Sequence, residues 1–197
     1  MADYPLEKLR KYGYDILINR FEPLFRKILI NEVLLINYGS KKWIEGIPTG
    51  VITELKKEKG IDVSKIDIEE FFDEVFLWGL KEISIYSDNY KHLNEFVSDL
   101  GKEKFIEVMD ELNELRKKIA HSKTFTQLEL FRVIDVIKNC FSGKLSESLI
   151  KFMDNEGYKN ADNIPSDFLT DYDCPNNLPT EEYDLDGGFV GRRKEIN

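Results

Sequence analysis

The sequence predicts an all-α bundle, and three observations carry that prediction. Apolar residues recur at three-and-four spacing over most of the first 150 positions. Alternating apolar and polar stretches are scarce, with "EISIYS" the nearest approach to a strand pattern. Turn and capping residues divide the periodic text into helix-length pieces.

The first piece is "YDILINRFEPLFRKILINEVLLIN", where Ile16, Ile18, Phe21, Leu24, Phe25, Ile28, Ile30, Val33, Leu34 and Leu35 form the apolar series. Pro23 lacks an N–H and predicts either a kink or the start of a new helix there. Gly39 and Ser40 supply turn chemistry that ends the run. "IPTGVITELKKEKG" reads as a short helix closed by Gly60. "DIEEFFDEVFLWGLKEISIYS" reads as one or two helices with Gly79 at the junction, and "DNYKHLNEFVSDLG" as a further segment ending at Gly101. From Lys102 to about His121, Phe105, Ile106, Val108, Met109, Leu112, Leu115 and Ile119 form one helical stripe. "TFTQLELFRVIDVIKNCF" is the last strong helix, opened by Thr126 and Glu129 as a T-x-x-E capping box.

Composition sets the class. Of 197 residues, 42% are apolar and 33% charged, the balance of a soluble globular chain with room for one domain and an appendage. No apolar run approaches the roughly 18–20 residues a membrane span needs. The opening "MADYPLEKLRKYG" lacks a signal peptide's apolar stretch. Two cysteines, Cys140 and Cys174, read as reduced thiols in a cytoplasmic protein and are too few for a metal site.

The net charge of −9 is unevenly placed. Residues 154–187 hold ten acids against one lysine, which accounts for −9 alone. Residues 1–153 carry 24 bases against 26 acids, so the body is nearly neutral and can hold a basic patch. The expected organisation is a helical domain over 1–157, an acidic linker without an independent fold over 158–187, and a distinct element over 188–197.

The patch is "ELRKKIAHSKTF", residues 114–125, with four cations and a histidine at the end of a helix. Cations there complement the helix dipole, which is the plain structural account. Arg116 and His121 also have the chemistry for cleaving RNA. The substrate supplies its own 2′-hydroxyl nucleophile; the protein need only move protons with an imidazole and neutralise the phosphorane with a guanidinium. At five residues apart the two lie about 140° apart around a helix, so they converge only on something lying across its end. Lys117, Lys118 and Lys123 are candidate contacts to flanking phosphates. His92, in "NYKHLNEF", reads as a surface or boundary residue.

"LNELRKKIAHSKTFT" resembles the signature of the HEPN superfamily (higher eukaryotes and prokaryotes nucleotide-binding domains), whose motif is an arginine, four to six residues, then histidine. "RFEPLFRKILINEV" and "WGLKEI" extend the resemblance over residues 15 to about 142, toward a bacterial branch also found in a eukaryotic nuclear RNA-surveillance endonuclease. The resemblance implies a helical bundle that dimerises around one cleft, and a metal-independent endoribonuclease needing no cofactor, with Arg116 and His121 catalytic. Toxin and antiphage systems are the family's usual setting. This sequence departs at Lys117, where the family usually has asparagine. The alternative implied by that departure is a catalytically silent module that dimerises, relays a signal, or binds nucleotide or RNA without cutting it.

The last residues, "GGFVGRRKEIN", resemble the element that opens STAND-type ATPase modules, matched here by Phe189, Val190, Gly191, Arg192 and Glu195. The resemblance implies that residues 188–197 begin an NTPase that follows in cis, with ATP as its ligand and Arg192 as a contact to it. No G-x-x-x-x-G-K-[ST] loop occurs in the 197 residues, so the expectation is the N-terminal piece of a longer protein.

Overall fold

A computed structural model describes residues 6–98, 100–121 and 124–155. It opens with an unbroken helical rod: α1 (Leu6–Gly13), a π-helical stretch (Tyr14–Phe21), α2 (Glu22–Ile28), a second π-helical stretch (Leu29–Leu34) and α3 (Leu35–Tyr38). Pro23 marks the start of α2, as the sequence allows, and the backbone at Phe21 before it stays helical. The proline sits in the first turn of α2, just after turns widened to the π register, in which the Glu22 N–H reaches Leu17 O. Turns of that width relax the i→i+4 ladder that a proline would otherwise break.

Gly39, at φ 72°, ends the rod. A 3₁₀ turn (Trp43–Gly46) leads to α4 (Thr49–Lys59), which Gly60 closes in the left-handed conformation with its N–H bonded to Lys56 O at 3.1 Å. Helix α5 (Ile68–Asp73) starts at a capping box formed by Asp67 and Glu70. Helix α6 (Leu77–Ile85) follows, and the junction falls at residues 74–76 rather than at Gly79. Gly79 lies inside α6, where a Cβ would come within 2.7 Å of Val75 Cγ1. Among its described residues the "DNYKHLNEFVSDLG" segment forms a 3₁₀ turn (Asn89–Leu93) followed by turns and a bridge residue at Val97, and His92 is exposed on it, as the sequence allows.

Helix α7 (Lys102–Ala120) follows Gly101, and α8 (Gln127–Cys140) carries the expected capping box at Thr126 and Glu129. Helix α9 (Gly143–Asn155) continues the bundle past the last strong helix read from the sequence. The positive φ of Gly143 suits a close approach, since a Cβ there would lie 2.7 Å from Glu95 O. Among the described residues the nearest thing to a sheet is an isolated bridge between Val97 and Phe141. No helix among them is long and apolar enough to cross a membrane. The linker over 158–187 and the element over 188–197 lie outside the described residues.

The α7 stripe packs against the inner side of the rod. Phe105, Val108, Met109, Leu112, Leu115 and Ile119 are all buried within the chain. Phe21, Phe25, Phe105 and Phe141 join three parts of the sequence in one aromatic cluster, with Phe21 and Phe141 edge to face at 4.9 Å between ring centres. At the other end of α7, Lys118 pairs with the capping carboxylate of Glu129, which also accepts the Thr126 N–H at 2.7 Å. Burial disfavours ionised Glu129, but these hydrogen bonds outweigh it and leave its pKa below the ordinary value.

Because the folded-state pKa is depressed, Glu129 contributes stability above the ordinary carboxylate pKa and loses it as pH falls through the folded value. Glu129→Ala is expected to cost about 0.5–2 kcal/mol at neutral pH, mostly through the lost cap, since the half-exposed Lys118 pair adds little. The gap between variant and wild type should narrow in acid. Thermal denaturation followed by circular dichroism across that pH range checks both parts.

Candidate functional site

The end of α7 is held from two sides. Arg10 of α1 donates from Nε to Ile119 O at 2.8 Å, satisfying a carbonyl that the ending helix leaves without an internal partner. Gly13, one turn on, lets α1 lie close against this end, where a Cβ would come within 2.8 Å of both Ile119 and Phe125. His121 is the residue that caps α7, its N–H bonded to Lys117 O at 3.0 Å, and its side chain is exposed. The histidine thus stands on a fixed helix end.

Arg116 is placed very differently. It is only 7% exposed, and its Nε donates to Glu22 Oε1 at 2.6 Å. Glu22, 1% exposed, also accepts from Arg26 Nη2 at 3.2 Å. Arg26 in turn donates from Nε and Nη2 to Val75 O at 3.2 and 3.0 Å. This fixes the α5–α6 junction, and the Phe76 ring from that junction lies 4.8 Å from the Arg116 guanidinium carbon. A buried carboxylate between two arginines is tolerable only because its charge is compensated and its lone pairs are engaged.

Arg116 and His121 line one cleft of about 400 Å³. Its α7 wall also presents Asn113 and Lys117; its α4 wall presents Val51, Leu55, Glu54, Glu58 and Lys59. The α5–α6 junction adds Glu74, Val75 and Phe76, and α6 adds Trp78 and Gly79. Three acids and three bases make the cleft electrically balanced, not basic. Lys59 is tied to Glu74 at 2.6 Å and lies 4.2 Å from the Phe76 ring centre. Lys117, exposed, pairs with Glu114 at 2.7 Å. Burial, then the neighbouring charge of Glu58, raises the Glu54 pKa.

The residues singled out from sequence therefore separate. Arg116, His121 and Lys117 come together at the cleft. Lys118 is not among its lining residues and bonds the α8 cap instead, and Lys123 lies outside the described residues. Sequence reasoning missed Glu22, Arg26, Asn113 and Trp78. Glu22 had one visible signal, an acid inside an apolar helical series with a base four residues on; Asn113 had only its place one turn before Arg116. Among the described residues no group of three or more His, Cys, Asp or Glu side chains is arranged to hold a metal ion.

A family model described as Swt1-like HEPN matches residues 15–143, which spans the rod from Tyr14's successor through α8 and so includes Glu22, the cleft, Arg116 and His121. No curated protein and no solved structure matches the chain.

Removing the buried carboxylate tests the network. Glu22→Gln leaves Arg116 and Arg26 without their shared counter-charge, and a loss of about 3–5 kcal/mol is expected. Urea denaturation of the variant beside wild type measures it.

Proposed function

The chain belongs to the Swt1-like HEPN family, and on that premise we propose that it is a metal-independent endoribonuclease acting as a dimer. HEPN domains are commonly ribonucleases, and they often bind RNA and dimerise. The observation that carries the reading for this chain is that Arg116 and His121 line one cleft of a volume suited to a small ligand.

In the proposed reaction the RNA 2′-oxygen bonds to phosphorus as the bond to the 5′-oxygen breaks. The 2′-hydroxyl proton is taken up, and a proton is delivered to the leaving 5′-oxygen. The products are a 2′,3′-cyclic phosphate and a 5′-hydroxyl. His121, exposed at the helix end, transfers a proton or positions the 2′-hydroxyl. Arg116 stabilises the charge on phosphorus. A guanidinium has five N–H donors, so anchoring by Glu22 is compatible with engaging a phosphate. Lys117 holds a flanking phosphate, and Lys123 a second. Lys118 contributes there only by leaving Glu129.

Dimerisation would bring two such motifs to one cleft. The α7 stripe is consumed by the chain's own core, so it is not available as the dimer centre. Leu128 is better placed: it lies in the first turn of α8, the helix that follows His121 in sequence, and is 77% exposed. The wider setting, a toxin or antiphage effector released by a STAND-type ATPase in cis, rests on the Phe189–Glu195 resemblance.

A second reading has its own support. Lys117 replaces the usual asparagine, and Arg116 is deeply buried and neutralised by Glu22, which suits a silent dimerising or signal-relay module. One experiment separates the two. Labelled RNA incubated with the protein in EDTA should be cut, and His121→Ala should reduce the rate by roughly 10²–10⁴. Arg116→Lys should also fail, since a point charge cannot replace the planar fork. Cleavage should fall steeply with salt. RNA left intact, or cut equally by His121→Ala, selects the silent module.

The dimer is tested separately by light scattering at micromolar concentration. Wild type is expected at twice the chain mass and Leu128→Glu at the chain mass. A monomeric wild type, or a variant that still dimerises, removes Leu128 from the interface.

A further inference from the structure

The cleft beside Arg116 and His121 has a second polar feature that phosphate chemistry does not use. Asn113 lies three residues before Arg116, on the same side of α7, and is 9% exposed. Its side-chain amide has no hydrogen-bond partner among the described residues. The amide is not among the side-chain groups sealed from solvent without a partner, so it is open to hydrogen-bond what enters the cleft. Facing the same space is Trp78, 37% exposed at the start of α6, an aromatic surface that the core does not claim.

The walls divide by charge. The α4 wall offers Glu54 and Glu58, which only accept hydrogen bonds when ionised, its Lys59 being held in an ion pair by Glu74; the α7 wall offers Arg116, Lys117 and His121. An anion filling the whole cleft would meet two carboxylates. A nucleotide fits this division, with its phosphate toward α7 and an uncharged base bearing N–H donors toward α4. We propose that the cleft holds an adenine subsite, in which the base stacks on the Trp78 indole and its edge is read by the Asn113 amide.

The pairing follows from donor and acceptor geometry. An asparagine amide matches adenine with two parallel bonds, Oδ1 accepting from the exocyclic amine and Nδ2 donating to a ring nitrogen. Glu54 or Glu58 accepts the amine's other N–H. Uracil has no exocyclic amine and turns a carbonyl toward those carboxylates. Stacking is tolerant of base identity, so Trp78 supplies affinity while Asn113 and the α4 acids supply the preference. The subsite rests on the RNA reading given above, and its test is kept apart from cleavage.

Calorimetric titration of the full chain with adenosine 3′-monophosphate and uridine 3′-monophosphate gives the first comparison. Adenosine is expected to bind about tenfold tighter or better, which one added pair of base contacts accounts for. Trp78→Ala, a half-exposed position, should weaken both by about 5–150-fold. Asn113→Leu, similar in shape but without the amide, should bring the two nucleotides level; circular dichroism and a thermal melt establish that it folds, and Asn113→Asp serves if it does not. Equal binding of the two nucleotides to wild type, or an adenosine preference that survives in a folded Asn113 variant, overturns the subsite. Adenosine binding with no cleavage of RNA leaves the subsite standing and removes the nuclease reading. His121-dependent cleavage with no preference among bases does the reverse.

Discussion

The carboxylate of Glu22 holds this site together. It is nearly sealed from solvent, and it binds arginines from two different helices, one of them the motif arginine. Arg26 passes the constraint on to the Val75 carbonyl, and the junction at Val75 presents Phe76 to Arg116. Without the shared anion, two guanidiniums would repel one another in a poorly solvated place. With it, the rod, the α5–α6 junction and the end of α7 are set in one arrangement. Long flexible side chains lose their freedom, and the cleft acquires a floor of defined shape.

Arg116 and His121 are thus held by opposite strategies. The arginine is buried and fixed by charge, while the histidine is exposed and fixed by backbone, through Arg10 on Ile119 O and the close seat of Gly13. Such a division suits the separate tasks proposed for them. A group meant to steady charge gains from a low-dielectric surrounding and a rigid anchor. A group meant to exchange protons needs access to water or to a partner's motif.

Much of this was legible in the sequence, and the illegible part has a common cause. The all-α class, the Gly39 and Gly60 ends and the Thr126–Glu129 cap all arise from interactions within a few residues. Periodicity and capping rules read those directly. Gly79 was misplaced because its role is close packing against Val75, which a local rule mistakes for a turn. Pro23 was read as a kink or a helix start, and it is the start; the π-helical turns before it went unread. Glu22 and Asn113 escaped because what defines them lies across the bundle or in the space of the cleft. Lys118 serves the α8 cap through Glu129, a partner in the next helix that the local rule for helix-end cations does not name.

The partners in this network are far apart along the chain. Glu22 and Arg116 are separated by 94 residues, and Arg10 and Ile119 by 109. At a synthesis rate of about 5–20 residues per second, a ribosome needs about 5–20 s to proceed from the glutamate to its arginine. Through that interval the emerging N-terminal rod carries an acid destined for the interior and no completed cleft. A nascent chain therefore has no completed cleft until α7 has emerged and Arg116 has met Glu22.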